Sequence, residues 1–229
     1  MTQHGFEDFY LRLNPPDKAT YDKKGRGYER RFGHILDGAK IQSVLDLGCA
    51  TGLLSAWLCR RGYPEVVGVD LNQPLVEVAR RNVPAQFVVD DAAHYLATCG
   101  RTFDVIFLLD LLEHLPRPHV VDVLRRAREA IREGGFALVR VPNMNCFLAA
   151  GKFYGDWTHQ TPFTERTLEH VALLAGFSRV EHCDQFRMQN FKGKVRACIN
   201  AALLSVALRL RGGHRPKVFY HNLLAQLFP

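Results

Sequence analysis

The stretch SVLDLGCATGLLSAWLCRRG, from Ser43 to Gly62, sets the tightest limit on the fold. Five residues suited to a strand run into a glycine turn, and the turn runs straight into a helix. The pattern then repeats. Strand-like segments at 43–47, 65–69, 86–89, 103–109 and 136–141 alternate with helix-like segments at 52–61, 74–82, 92–98 and 119–132. In the last of these, Val120, Leu124, Ala127 and Ile131 form one stripe, and Gly134-Gly135 predicts its end. Asn72 suits a cap for the helix after the second strand, with Pro74 in its first turn. Strict alternation of strand and helix predicts an α/β fold with a parallel sheet covered on both faces. With 229 residues, 47% of them hydrophobic, the chain can bury one substantial core.

Ligands of such sheets bind at the carboxyl ends of the strands, where the loop at 48–52 falls. A dinucleotide turn would read G-x-G-x-x-G. Here Gly48 and Gly52 flank Cys-Ala50-Thr, and no third glycine is in register. Asp46 precedes the loop by two residues, and a carboxylate there opposes a pyrophosphate seated on a helix N-terminus. No G-K-[ST] follows, which excludes an ATP P-loop. A cationic ligand without phosphate has no such conflict, and S-adenosylmethionine fits with its sulfonium and ammonium groups. Asp70 ends the second strand, eighteen residues after Gly52, where a carboxylate can accept from ribose hydroxyls. Asp90-Asp91 ends the third strand, where one carboxylate can accept from an adenine amino group. Each acid alone is at home in a solvated turn. Three at successive strand ends point to a ligand.

In the order VLDLGCATG, GVDLN, VVDDA, FDVIFLLDLLEHL and REGGFALVRVPN, the chain resembles the class I S-adenosylmethionine-dependent methyltransferases over about residues 43–185. The resemblance implies a Rossmann-like seven-stranded sheet of order 3-2-1-4-5-7-6, with strand 7 antiparallel. It implies that Asp46, Gly48, Ala50 and Gly52 line the methionine and ribose side. Asp70 would take the ribose, Leu71 would pack on adenine, and Asp91-Ala92 would meet the adenine edge. Leu109-Asp110 would lie near the sulfonium. Ala50 stands where the family more often has glycine, a change that is tolerated if its φ stays negative. DLLEHL, RVPN and YGDWTHQTPFTERTLEHVALLAGF resemble a bacterial subgroup associated with surface-polysaccharide and O-antigen biosynthesis.

After Pro142 the rhythm changes. VPNMNCFLAAGKFYGDWTHQTP has no clear period, and long aperiodic loops in compact domains are usually functional or disordered. His159 lies here, with Trp157 and Phe163 as an apolar platform and Asp156 to orient its ring. An imidazole suits removal of a proton from an alcohol acceptor, so His159 and His114 are the candidate bases. Loop and turn histidines that only bond backbone are the simpler alternative for both. Asp110-x-x-Glu113-His114 offers two carboxylates and an imidazole, and resembles a metal-holding cluster of some quinone and small-RNA O-methyltransferases. The shorter Asp in the first position weighs against a metal, and none is assigned. A helix with Leu168, Val171, Ala172 and Ala175 inward is predicted at 165–175, capped by Thr164 and ended by Gly176. FSRVEHC suits a sixth strand. KVFYH suits the last strand, ahead of a short tail helix.

Charge is unevenly spread. From Arg187 to Pro229 there are eight Lys/Arg and no Asp/Glu, while residues 1–186 hold 22 bases and 23 acids. The helix expected at 194–211 is apolar from Ala197 to Leu208 except for Asn200 and Ser205, and its polar positions do not share a face. A buried helix is therefore expected, with peripheral contact to anionic lipid as the alternative. Three regions follow: an N-terminal helical cap at 1–40, a cofactor-binding core at 41–186, and a basic extension at 187–229 that can supply the last strand. Six widely spaced cysteines suggest reduced thiols, and no signal peptide or spanning segment is read, so a cytoplasmic setting is expected, with the inner membrane face as an alternative. Few aromatics interleave the basic tail, which argues against nucleic acid. The expected activity is O-methylation of a small hydroxyl acceptor such as a sugar or a nucleotide- or lipid-linked saccharide. A quinone precursor, an RNA end, or a non-catalytic cofactor-binding role are the alternatives. The acceptor and the oligomeric state are not legible.

Overall fold

The computed structural model describes residues 3–38, 40–146, 149–183, 195, 198–199, 201–203, 205–206 and 220–229. Its strands are β1 (Ser43–Leu47), β2 (Glu65–Asp70), β3 (Gln86–Val89), β4 (Phe103–Leu109), β5 (Ile131–Pro142), β6 (Arg179–His182) and β7 (Asn222–Phe228). They form one sheet in the order β3-β2-β1-β4-β5-β7-β6. β2 pairs parallel with β1 and β3, whereas β7 runs antiparallel between β5 and β6. The topology is the one implied by the motif order. The helices are α1 (Gln3–Leu13), α2 (Lys18–Leu36), α3 (Leu53–Arg60), α4 (Gln73–Asn82), α5 (Ala92–Thr98), α6 (Arg117–Glu129), α7 (Ala150–Phe153) and α8 (Glu165–Leu174), with a 3₁₀ turn at Leu112–His114. The chain divides into two compact units, Met1–Phe107 and Leu108–Pro229.

In the first unit every residue of β1 is buried, Ser43 and Asp46 included, as a central strand requires. α4 starts as its sequence predicts: Asn72 Oδ1 accepts from the Leu75 N–H at 3.1 Å, and Pro74 stands in the first turn. The N-terminal helices are anchored rather than loosely laid on. Phe32 of α2 stacks near Tyr28, Trp57 and Phe107, with ring centroids about 6 Å apart. Arg61 pairs with Glu29 and Asp37, and Arg60 with Asp22, stapling α2 to the end of α3.

In the second unit Thr164 caps α8 in a reciprocal capping box with Thr167, and Leu168, Ala172 and Ala175 are buried as expected, while Val171 is only half-buried. Three expectations need correction. First, α6 stops at Glu129, and Ile131 already belongs to β5; Gly134-Gly135 lies inside that strand, with Gly134 at φ +79°. Second, the last strand is NLLAQLF, where a tail helix was expected. Of KVFYH, Tyr220 and His221 form a bend and the other residues lie outside the described ones. Because β7 is paired on both edges, Leu223, Leu224, Ala225 and Leu227 are all buried, which erases the alternation that would mark a half-buried strand. Third, within the expected helix at 194–211 the described residues are helical, but Val195, Ile199, Leu203 and Val206 face outward instead of being buried. The rest of that segment lies outside the described residues. Among the described residues no helix is long and apolar enough to cross a membrane.

Candidate active-site residues

The turn after β1 is built on alternate left-handed residues: Gly48 at φ +76°, Ala50 at +46° and Gly52 at +73°. The condition under which a methyl at Ala50 is readily tolerated, a negative φ, is therefore not met. The loop must reverse within three residues to let α3 begin, and a side chain at position 50 meets the left-handed steric cost of about 1–2 kcal/mol. Gly52 has a second reason to be glycine, since a Cβ there would lie 2.9 Å from Phe87 Cζ. The turn is held from beneath. The Gly48 and Cys49 N–H groups donate to the Val69 carbonyl at 2.8 and 3.1 Å. The Ala50 N–H donates to Asp70 Oδ2 and the Asn72 N–H to Asp70 Oδ1, both at 2.8 Å. Each Asp70 oxygen keeps a further acceptor position, so the carboxylate that fixes the loop can also take hydroxyl groups.

Asp46 is 3% exposed and accepts from Ser55 Oγ at 2.7 Å. Burial pushes its carboxyl up to about 7, against the pull of the Ser55 bonds, and the nearby Asp70 charge adds to the rise. Burial also raises Asp70, while the Asn72 and Ala50 bonds pull it down. A buried carboxyl whose proton affinity a neighbouring carboxylate raises fits a cation and not a phosphate. Leu71, 65% exposed beside them, offers the apolar surface expected for an adenine. Asp91 is already engaged: its Oδ1 accepts from the Ala93 and His94 N–H groups at 2.9 and 3.0 Å and so caps α5, which begins at Ala92. Asp90 instead pairs with His94 Nδ1 at 2.9 Å. Sequence reasoning missed the contribution of α1. Glu7 accepts from Asn72 Nδ2 at 3.0 Å, and half-buried Tyr10 bonds Thr51 and feels the charges of Asp70 and Asp46. Nothing in the mixed N-terminal composition marks these two side chains.

In the second unit, Leu109 ends β4 and Asp110 follows at φ +54°. Arg140 grips Asp110 with two ion-paired bonds, Nε to Oδ1 at 2.9 Å and a second from NH2 to Oδ2. DLLEHLP and GDWTHQTP, more than forty residues apart in sequence, are knitted together. The Gln160 and Thr161 N–H groups donate to the Glu113 carbonyl at 2.7 and 3.0 Å, Gln160 Nε2 donates to the His114 carbonyl at 2.7 Å, and Thr161 Oγ1 donates to the Leu115 carbonyl at 2.7 Å. The His114 and His159 rings meet edge-on with centroids 4.6 Å apart.

The hydrogen bonds fix both tautomers. His159 Nδ1 lies 2.8 Å from the Phe153 carbonyl, which can only accept. Thr158 Oγ1 spends its proton on Asp156 Oδ1 at 2.6 Å, so His114 Nδ1, 2.8 Å away, must donate to it. In the neutral form of each ring the bare nitrogen is Nε2. Burial, and then the charge of His159, lowers the His114 pKa and keeps that ring neutral at neutral pH. Two expected roles change. Asp156 orients His114 through Thr158, while its Oδ2 stands 3.9 Å from His159 Nε2, whose ring is set by Phe153. Phe163 is 1% exposed and belongs to the core, so of the two expected platform aromatics only Trp157 is exposed. Glu113, His114 and His159 each offer a ligand atom, all within 4.8 Å of one another. Asp110, committed to Arg140, is not among them.

The fold is that of the class I S-adenosylmethionine-dependent methyltransferases, and residues 44–135 match a family model described as a methyltransferase domain, Methyltransf_25. Ubiquinone biosynthesis O-methyltransferases are similar in sequence: that of Proteus mirabilis is 31% identical over 114 residues, covering 48% of this chain and 45% of the relative. That of Azorhizobium caulinodans is 37% identical over 124 residues, covering 50% and 47%. The chain thus spans about half the length of the curated relatives it matches. Among solved structures, a SAM-dependent methyltransferase from Archaeoglobus fulgidus aligns with a TM-score of 0.65 at 22% identity over 89% of this chain and 91% of that one. The plantazolicin methyltransferase BpumL, solved with SAH, aligns with 0.61 at 14% identity over 98% and 88%. At these identities the likeness is one of fold.

Proposed function

We propose that this chain is an S-adenosylmethionine-dependent O-methyltransferase acting on a small hydroxyl acceptor. The observation that carries the cofactor is buried Asp46 and half-buried Asp70 around the left-handed turn at 48–52. When bound, the cofactor supplies a methyl group on a sulfonium that leaves as a neutral thioether. The residues of this chain then have two tasks. Asp46, Asp70, Gly48, Ala50, Gly52 and Leu71 seat the cofactor, with Ala92 and the α5 cap Asp91 at the adenine edge and Leu109-Asp110 toward the sulfonium. His159 Nε2 takes the acceptor's hydroxyl proton as the oxygen forms its bond to carbon, and His114 holds the neighbouring position.

The acceptor we favour is a hydroxyl of a sugar or of a nucleotide- or lipid-linked saccharide, the class suggested by the subgroup motifs. The matched family model ends at residue 135, ahead of the loop carrying His159, so the acceptor has to be assigned by experiment. A screen of saccharide and phenolic acceptors, with S-adenosylhomocysteine release as readout, tests it. Cofactor binding with no release on any acceptor would favour a non-catalytic subunit. In an active pair, His159→Ala is expected to leave cofactor affinity intact and cut turnover about 100-fold or more. Unchanged turnover would show that alignment alone suffices.

A second acceptor class, the phenolic hydroxyl of a quinone precursor, is favoured by the cluster of Glu113, His114 and His159 together with the sequence relatives. There the three side chains would hold a divalent ion that lowers the acceptor's pKa, and His159 would be a ligand instead of a base. Isothermal titration with Mg²⁺, Mn²⁺ and Zn²⁺ separates the two: no heat of binding, and turnover indifferent to EDTA, removes the metal.

A further inference from the structure

We propose that the outward face of α2 docks on the phosphate backbone of a nucleic-acid duplex without reading its bases. Lys23, Arg26, Arg30 and His34 are all exposed. At about 3.6 residues per turn they fall within an arc of about 80°, opposite the buried Tyr21, Tyr28 and Phe32. Among the described residues none of these four side chains takes part in a hydrogen bond or ion pair. The two acids of the helix lie off this line and are engaged elsewhere: Asp22 pairs with Arg60 at 2.7 Å and Glu29 with Arg61 at 2.6 Å. Like charges three and four residues apart repel along a helix, and no acid stands on this face to offset them. An anionic partner supplies that offset.

A line of bases without an apolar side chain narrows the partner. Ala19 shares the arc and Gly27 borders it, so the face carries no large apolar or aromatic group. A protein interface is anchored by a buried apolar or aromatic core, which this face cannot give. An anionic bilayer rewards a helix for the apolar area it inserts as well as for its charge. A single strand is held largely by stacking on aromatic rings. A duplex needs only bases in line with its phosphates. From Lys23 to His34 the line is about 16 Å long, the axial length of about five nucleotides of one strand. Arg26 and Arg30 at its centre have planar forks that suit phosphate oxygens. The docking is independent of the proposed methyl transfer: this face looks away from Tyr21, whose hydroxyl donates to the Thr51 carbonyl of the turn after β1 at 2.6 Å. It is also independent of the basic tail, whose sparse aromatics gave the expectation against nucleic acid.

The test is fluorescence anisotropy of a labelled mixed-sequence DNA duplex of about 20 base pairs, titrated with the full chain. We expect binding that is indifferent to a scrambled sequence. It should weaken about 40-fold between ~0.05 M and ~0.2 M NaCl, as the release of counterions from about three phosphates requires. The pair Arg26→Gln with Arg30→Gln should lose about tenfold or more in affinity at low salt and cut the salt effect to about three- to fourfold, with the parent Tm kept. Lys23→Gln with His34→Gln, at the two ends of the line, serves if the first pair lowers Tm. Absence of duplex binding, or indifference to both pairs, would overturn the proposal. So would a loss that appears in the tail pair Lys192→Gln with Lys194→Gln while the α2 pairs bind as the parent does. Tighter binding to a single strand of the same length, or to phosphatidylglycerol vesicles that strip the protein from the duplex, would assign the face to those partners instead and reject this one.

Discussion

Ala50 and Asp46 show how much of the turn after β1 is settled by single residues. At φ +46° an alanine pays a steric cost that glycine does not, partly offset because glycine also loosens the unfolded chain. Ala50→Gly should therefore stabilise the protein by about 0.5–1 kcal/mol, a Tm rise of roughly 1–3 °C by calorimetry for a chain of this size. A fall would mean that the alanine methyl is packed to advantage. Asp46 predicts a pH dependence. Its folded pKa of about 7 lies above the unfolded value of about 3.9, so between these limits the folded chain keeps a proton that the unfolded chain releases. The contribution of Asp46 to stability therefore falls as pH rises from about 4 toward 7. Asp46→Asn lacks that loss. In urea unfolding the variant should gain on the parent from pH 5 to pH 8, while its affinity for S-adenosylmethionine drops. A parent that gains on the variant over the same range would reverse the sign.

Among the elements, the 3₁₀ turn and the loop from Phe153 to Thr161 act as one piece because backbone carbonyls of the turn receive the loop's donors. Thr158 is the link: it passes the hold of Asp156 to His114. Thr158→Val keeps the shape and removes that link. We expect kcat to fall several-fold, with cofactor Kd unchanged and a shifted pH–kcat profile; a parallel loss of cofactor binding would point to a folding defect instead. At this scale the sequence was legible where local chemistry decides. Asn72 and Thr164 cap the helices they precede, and the residues of β7 could not be located because burial on both edges removes their period. The end of α6 was misplaced for a related reason. Gly134-Gly135 carries a helix stop signal, yet strand pairing extends β5 back to Ile131.

For the whole molecule, the proposed cofactor site predicts a ligand-dependent stability. A ligand that binds only the folded chain adds about 2.7 kcal/mol at a hundredfold excess over Kd. S-adenosylhomocysteine at that level should therefore raise Tm by roughly 5–10 °C in a thermal scan, and NADH should leave it in place. A shift with NADH alone would reject the electrostatic assignment of the site. The division of charge, 22 bases against 23 acids up to residue 186 and only bases beyond, is a property of the sequence and needs no fold to be seen. The sequence by itself determined the order of strands and helices and the acids at the strand tips, because these follow from local period and from which residue types tolerate a turn. Only the tertiary structure decided that Ala50 is left-handed, that Asp156 serves His114 through Thr158, and that NLLAQLF forms the last strand in place of KVFYH. Each of these depends on partners distant in sequence, and a backbone dihedral, a proton's place or a buried edge is set by the partner and not by the neighbours along the chain.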